Sequence, residues 1–147
     1  MKHFHLIFLS LLLTACAAAP GTPAALPTQA ITSAATGVAV PGGTYFRLSP
    51  QELQAQLAQK DFIFINTHVP YEGELEQTDA FIPYNTITQN LEQLPADKDA
   101  PIVVYCMSGG MSTSAAKELV AAGYTNVWEL SGGMWAWEAA GLPILQK

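Results

Sequence analysis

The stretch PIVVYCMSGGMSTSAAKELVAAG, Pro101 to Gly123, decides the fold. Ile102 to Tyr105 is a short apolar run rich in β-branched residues, the pattern of a strand buried on both faces of a sheet. It stops at Cys106, a turn of Ser and Gly follows, and an alanine-rich helical pattern begins at once. Ser112 or Thr113 is the expected start of that helix, and Gly123 its left-handed cap. A buried strand that runs through a glycine turn into a helix is half of a parallel crossover unit. In such sheets ligands bind beyond the carboxyl ends of the strands, where Cys106 is placed.

The same alternation extends outward in both directions. Upstream, Ser49-Pro50-Gln51-Glu52 has a capping Ser, Pro at the first helical position and Glu at the third, ahead of a helical pattern through Leu53 and Leu57. Phe62 to Ile65 is a second buried strand. The polar, irregular stretch from Asn66 to Tyr84 is long enough to suggest a functional loop. Leu91 to Leu94 closes a short helix, and Pro95 to Asp99 turns into the strand at Ile102. Downstream, Asn126 to Leu130 is a third strand, and Ser131-Gly132-Gly133 turns into a last helix, Met134 to Ala140, ended by Gly141 and Pro143. Together these predict a single α/β domain over residues 44–147 with a mostly parallel sheet.

The beginning of the chain has a different character. MKHFHLIFLSLLLTAC carries Lys2 as a short basic segment, an apolar run from Phe4 to Leu13 and small residues before Cys16, the layout of a secretion signal over residues 1–15. The apolar run is about half of the ~20 residues a membrane-spanning helix needs. Leu13-Thr14-Ala15-Cys16 resembles the bacterial lipobox, which implies that Cys16 is acylated and becomes the mature N-terminus. Residues 16–43, rich in Ala, Pro, Thr and Gly, then read as a lipidated cysteine and a flexible tether of roughly 25 to 30 Å root-mean-square span. The expected location is the cell membrane or outer membrane, with the domain facing the periplasm or exterior. With 12 Asp and Glu against 6 Lys and Arg, a net charge of -6, the chain is a poor candidate for nucleic acid.

With Cys16 lipidated, Cys106 is the one remaining cysteine and has no disulfide partner. An unpaired thiol in an oxidising compartment is either buried and inert or kept for its reactivity. The turn Met107 to Met111 offers glycines, converging backbone N–H groups and a helix N-terminus, all of which stabilise negative charge on sulfur. Cys106 is therefore the candidate nucleophile.

Three segments carry a family resemblance. The loop CMSGGMS with its helix, the closing segment NVWELSGGMWAWEAAGLPI, and the Ser49 helix followed by FIFIN together resemble a single rhodanese-like domain over nearly all of Tyr45 to Lys147. The resemblance implies a mostly parallel sheet of about five strands flanked by helices. It also implies a sulfurtransferase chemistry in which Cys106 takes up a sulfane sulfur as a persulfide and hands it on, with Met107, Ser108, Gly109, Gly110, Met111 and Ser112 forming the cradle. No cofactor is implied. The partners would be a small sulfur donor or a persulfide acceptor, the latter a small molecule or a protein, and the membrane through Cys16. The related phosphatases have a loop one residue longer that ends in Arg, so phosphoryl chemistry is disfavoured.

The chain departs from the family where charge is concerned. Met107 and Met111 stand where many members carry basic residues, Asn66-Thr67-His68 replaces an Asp-x-Arg, and the single arginine, Arg47, precedes the first helix. One lost charge-assisted hydrogen bond, about 1.5 to 3 kcal/mol, weakens recognition of an anion such as thiosulfate by roughly tenfold to a hundredfold. The alternative is a non-catalytic rhodanese-like module that binds a protein, or Cu(I) through the soft set Cys106, Met107, Met111 and His68. Glu72, Glu74 and Glu76 read as a solvated face, with Tyr71 and Glu72 at a pocket mouth; Trp128, Trp135 and Trp137 read as core and helix packing.

Overall fold

The computed structural model describes residues 35–145. The expected secretion signal, Cys16 and the stretch read as a tether, as far as residue 34, lie outside the described residues. The chain runs through β1 (Thr36–Val40), β2 (Gly43–Leu48), α1 (Pro50–Leu57), β3 (Ile63–Asn66), β4 (Ala80–Phe81), two 3-10 turns (Tyr84–Gln89 and Leu91–Gln93), β5 (Ile102–Tyr105), α2 (Gly110–Ala121), β6 (Val127–Leu130) and α3 (Gly133–Ala139). The strands form one six-stranded sheet in the order β1-β2-β6-β5-β3-β4. Every neighbouring pair is parallel except the β1–β2 hairpin.

The mostly parallel sheet of about five strands is present, with six. The hairpin shows in addition that the last part of the stretch read as a tether to residue 43 is a strand within the domain. Val38 and Val40 pack against the core while Gly37 and Ala39 contribute little side chain, so the alternation is too faint to stand out in the sequence. Gly42, at φ +95°, makes the turn into β2 that brings Val38 opposite Tyr45.

The sheet separates two apolar clusters. On one face Tyr45, Ile65, Ile102, Val104 and Val127 meet Ala115, Ala116, Leu119 and Val120 of α2. On the other, Leu48, Phe64, Val103, Tyr105 and Leu130 meet Leu53 and Leu57 of α1 and Met134 and Trp137 of α3. All four residues of β5 are fully buried because both faces of this central strand are covered. α1 starts as its sequence dictates: Ser49 Oγ accepts from the Glu52 N–H and Glu52 Oε2 accepts from the Ser49 N–H, a reciprocal cap worth about 1 kcal/mol. β5 ends at Tyr105, so Cys106 lies at the carboxyl edge, between β3 on one side and β6 on the other.

Candidate active site

Cys106 follows β5 and is 1% exposed. The loop after it reverses through Gly109, whose φ of +96° is costly for any residue with a Cβ, and Gly110 already belongs to α2. The helix therefore begins two residues before Ser112, earlier than its side-chain pattern suggests. Its first turn carries no side-chain cap; instead the Gly109 N–H donates to Cys106 Sγ at 3.1 Å. Ser112 Oγ lies 3.4 Å from the same sulfur. The sulfur thus faces a backbone donor, a hydroxyl and the N-terminal end of α2.

The loop is held from behind by the turn before α3. The Met134 N–H donates to Cys106 O at 2.9 Å and the Trp135 N–H to Met107 O at 3.0 Å. These bonds bring Gly133 so close that a Cβ there would lie 2.2 Å from Cys106 O, and its φ is +58°. The paired glycines of the last segment are a docking surface for the cysteine loop.

Met107 is half-buried and borders a groove of about 430 Å³ together with Tyr71, Glu72, Trp135, Glu138 and Ile144. Tyr71 and Glu72 stand at its mouth as the sequence suggests. Trp135 does not pack in the core; it is 63% exposed and forms one wall, while Trp128 and Trp137 are buried as expected. Ser108, Gly109 and Gly110 border a second groove, behind the loop, with Arg47 and Glu129. Met111, half-buried, sits in the first turn of α2.

At the end of β3 the Asn66-Thr67-His68 segment is held mainly by hydrogen bonds to backbone and amide groups. Asn66 Nδ2 donates to Gly73 O, the His68 N–H donates to Asn66 Oδ1, and Thr67 Oγ1 donates to Tyr105 O. His68 Nε2 lies 2.7 Å from Glu72 Oε2, and its Nδ1 is buried without a hydrogen-bond partner. The Tyr105 hydroxyl accepts from the Leu75 N–H and bonds with Thr78 Oγ1, and burial pushes it up to about 12. The long 66–84 segment is thus tied to the strand that precedes the cysteine. Among the described residues no three His, Cys, Asp or Glu side chains are grouped as a metal site.

Sequence reasoning missed Glu129. It lies in β6, 1% exposed, with Oε1 accepting from Ser112 Oγ at 2.9 Å and Oε2 at 3.6 Å from Arg47 Nε. Burial pushes its carboxyl up to about 7, against smaller opposing pulls from the Ser112 hydrogen bond and the Arg47 charge. The signal was present in VWEL, a carboxylate in the middle of an otherwise apolar strand. Arg47 is remote from the loop in sequence, but the register of β2 on β6 sets it directly opposite Glu129.

The model of the Rhodanese family, a rhodanese-like domain, matches residues 49–140. The chain belongs to the rhodanese-like family. Among its relatives, an uncharacterized protein of Synechocystis sp. is 36% identical over 70% of this chain, although the match spans only 58% of that longer protein. The thiosulfate sulfurtransferase GlpE of Vibrio cholerae is 30% identical over 68% of this chain and 94% of its own length. A rhodanese-related protein of Thermoplasma volcanium superimposes with a TM-score of 0.58 at 21% identity, covering 69% of this chain and 98% of that one, a likeness of fold. Within this rhodanese-like domain the cysteine loop and the paired glycines fall inside the matched residues, whereas Arg47 and the β1–β2 hairpin lie before them.

Proposed function

We propose that the protein is a membrane-anchored sulfurtransferase that carries sulfane sulfur as a persulfide on Cys106. The observation that carries this reading is the Gly109 N–H directed at Cys106 Sγ at the mouth of α2, supported by membership of a family with sulfurtransferase relatives. In the first half-reaction the Cys106 thiolate attacks the outer sulfur of a donor R–S–SH, the donor S–S bond breaks, R–S⁻ departs, and Cys106 holds –S–SH. In the second, an acceptor thiolate attacks that outer sulfur, leaves as the new persulfide and returns Cys106 as thiolate. Both halves balance without an external oxidant or reductant.

The groove in front of the loop argues against thiosulfate as the natural donor. It has Glu72 and Glu138 on its walls and, among the described residues, no lysine or arginine. A dianion entering there meets like charge without a charge-assisted partner. A low-molecular-weight or protein persulfide needs only the backbone donor for its sulfur and apolar surface, from Met107, Trp135 and Ile144, for its body. This differs from the substrate in the name of the Vibrio relative, and the groove beside Met107 supports it.

The direct test is mass. The full-length protein is incubated with glutathione persulfide and, separately, with thiosulfate, and Cys106 is examined for the addition of one sulfur atom that is absent in Cys106→Ala. The adduct is expected readily from the persulfide and weakly from thiosulfate; no adduct from either donor overturns the enzyme reading in favour of a binding module. Anchoring rests on the lipobox at Cys16. In fractionated cells Cys16→Ser should leave the membranes, and an unchanged distribution would count against acylation.

A further inference from the structure

Under the cysteine loop runs a line of buried polar atoms that sulfur transfer, as written above, does not use. Cys106 Sγ lies 3.4 Å from Ser112 Oγ, and Ser112 Oγ lies 2.9 Å from Glu129 Oε1. Ser112 is fully buried and Glu129 nearly so. A serine hydroxyl has one proton to donate, so it serves one neighbour at a time. The Gly109 carbonyl, 3.1 Å from Ser112 Oγ, is a weaker claimant than an ionised carboxylate.

The charge on Glu129 therefore fixes which way the hydroxyl points. An ionised Glu129 can only accept, takes the Ser112 proton, and leaves Ser112 Oγ facing the sulfur as an acceptor suited to S–H. A neutral Glu129 donates to Ser112 Oγ, and the Ser112 hydroxyl turns to donate to an anionic sulfur. We propose that Glu129 is a positioning residue for Cys106: between the first and the second proton loss of the buried line, Ser112 couples the two groups so that the one negative charge is held on the carboxylate or on the sulfur. Passing between the two states moves the thiol proton to Ser112 Oγ while the Ser112 proton moves to Glu129 Oε1. No proton enters or leaves, and the charge shifts from carboxylate to sulfur.

The groups that face Glu129 come from β2, β5 and α2. On β2, Arg47 approaches Oε2 through Nε from the half-exposed side, with its Nη2 donating to the Tyr45 hydroxyl. On β5 the residue opposite is Val104, which carries no charge. From α2 and its loop come Ser112 and, beyond it, Cys106. Burial, the largest influence, pushes the carboxyl up to about 7, which makes it a better acceptor for the thiol proton than an ordinary carboxylate. The same reversal serves the persulfide, whose terminal sulfur can take the Ser112 hydroxyl once Glu129 is protonated.

The proposal rests on Cys106 as nucleophile, and its test needs no sulfur donor, so failure of sulfur transfer and failure of the line are separable. The rate of Cys106 alkylation by neutral iodoacetamide is followed by intact mass from pH 5 to 10 on the full-length protein. The native chain should show two rises, because two coupled groups lose their protons in two steps. Glu129→Gln, whose amide can donate permanently to Ser112 Oγ, should show a single rise and react about tenfold faster at pH 8. Ser112→Ala placed on Glu129→Gln should remove that gain, and Ser112→Thr in the native chain should keep both rises. Arg47→Ala, at a half-exposed site, should move the lower rise to higher pH and enlarge its plateau. Two rises retained in Glu129→Gln, slower alkylation in it, or an unmoved lower rise in Arg47→Ala would each overturn the proposal.

Discussion

The two faces of the sheet at its carboxyl edge treat the same sulfur differently. Alternation along β3, β5 and β6 puts Asn66, Tyr105 and Leu130 on the face of α1 and α3, and Val104 and Glu129 on the face of α2. On the first face, polar groups next to the cysteine are neutral and bond to backbone or to one another: Asn66 to Gly73, Tyr105 to Leu75 and Thr78. On the second, a buried carboxylate lies one hydroxyl away from the sulfur, with a half-exposed arginine behind it. A neutral network fixes geometry at all pH values; a buried carboxylate makes geometry depend on pH. One face borders the groove beside Met107, and the other places a carboxylate beneath Cys106.

The largest effect is expected where both faces meet, at Gly133. Gly133→Ala would drive a Cβ to 2.2 Å from Cys106 O at a positive φ. Its cost should exceed about 3 kcal/mol, read as loss of soluble protein or a fall in Tm of many degrees, together with loss of Cys106 reactivity. A well-folded, reactive alanine variant would mean that the loop and the last helix are not locked together.

Glu129→Gln comes next. Because the folded carboxyl is held up at about 7 against an ordinary 4.5, the folded chain retains a proton that the unfolded chain releases between those values. The contribution is fully favourable below pH 4.5 and is lost as pH rises through 7, by a total on the order of 3 kcal/mol. The Gln variant should match the native chain in denaturant titrations at pH 5 and exceed it in stability at pH 8. Equal stability of the two proteins at both pH values would erase the contrast between the faces.

On the neutral face, Tyr105→Phe deprives the buried Leu75 N–H of its acceptor and should cost about 2 kcal/mol, independent of pH between 5 and 9. It should raise KM for a persulfide donor by loosening the 66–84 segment and leave the two-step alkylation profile in place. A profile altered by Tyr105→Phe would show that the faces are coupled. The mildest change is a gain: Met107→Arg with Met111→Arg adds cations beside the front groove and should raise kcat/KM for thiosulfate about tenfold, with little effect on persulfide donors. If thiosulfate turnover is unchanged, loop charge does not select the donor.

Much of this was legible in the sequence, where local chemistry is decisive. The Ser49 cap, the runs FIFI and IVVY, the glycine turn after Cys106 and the Gly123 stop specify helices and strands from within a few residues. The cysteine at a strand end, the glycine-rich turn and the closing tryptophan segment were enough to indicate the family that the comparisons show. Three features were not legible, each for a physical reason. The β1–β2 hairpin hides because Gly37 and Ala39 blunt the alternation that would reveal it. The exposure of Trp135 depends on how α3 is rotated against the sheet, since Trp137, two residues on, is buried.

The meeting of Arg47, Glu129 and Cys106 is the third. Residue type and spacing determined the candidate cysteine, the strand that presents it and the helix that follows it, because those are short-range consequences of backbone preference and burial. Only the tertiary structure decided its charge environment. Parallel pairing of β2 with β6 sets Arg47 opposite Glu129, and packing of α2 on the sheet lowers Ser112 between carboxylate and sulfur. Electrostatics act through space, and the residues that set the charge at this cysteine are brought together by strand register and not by sequence.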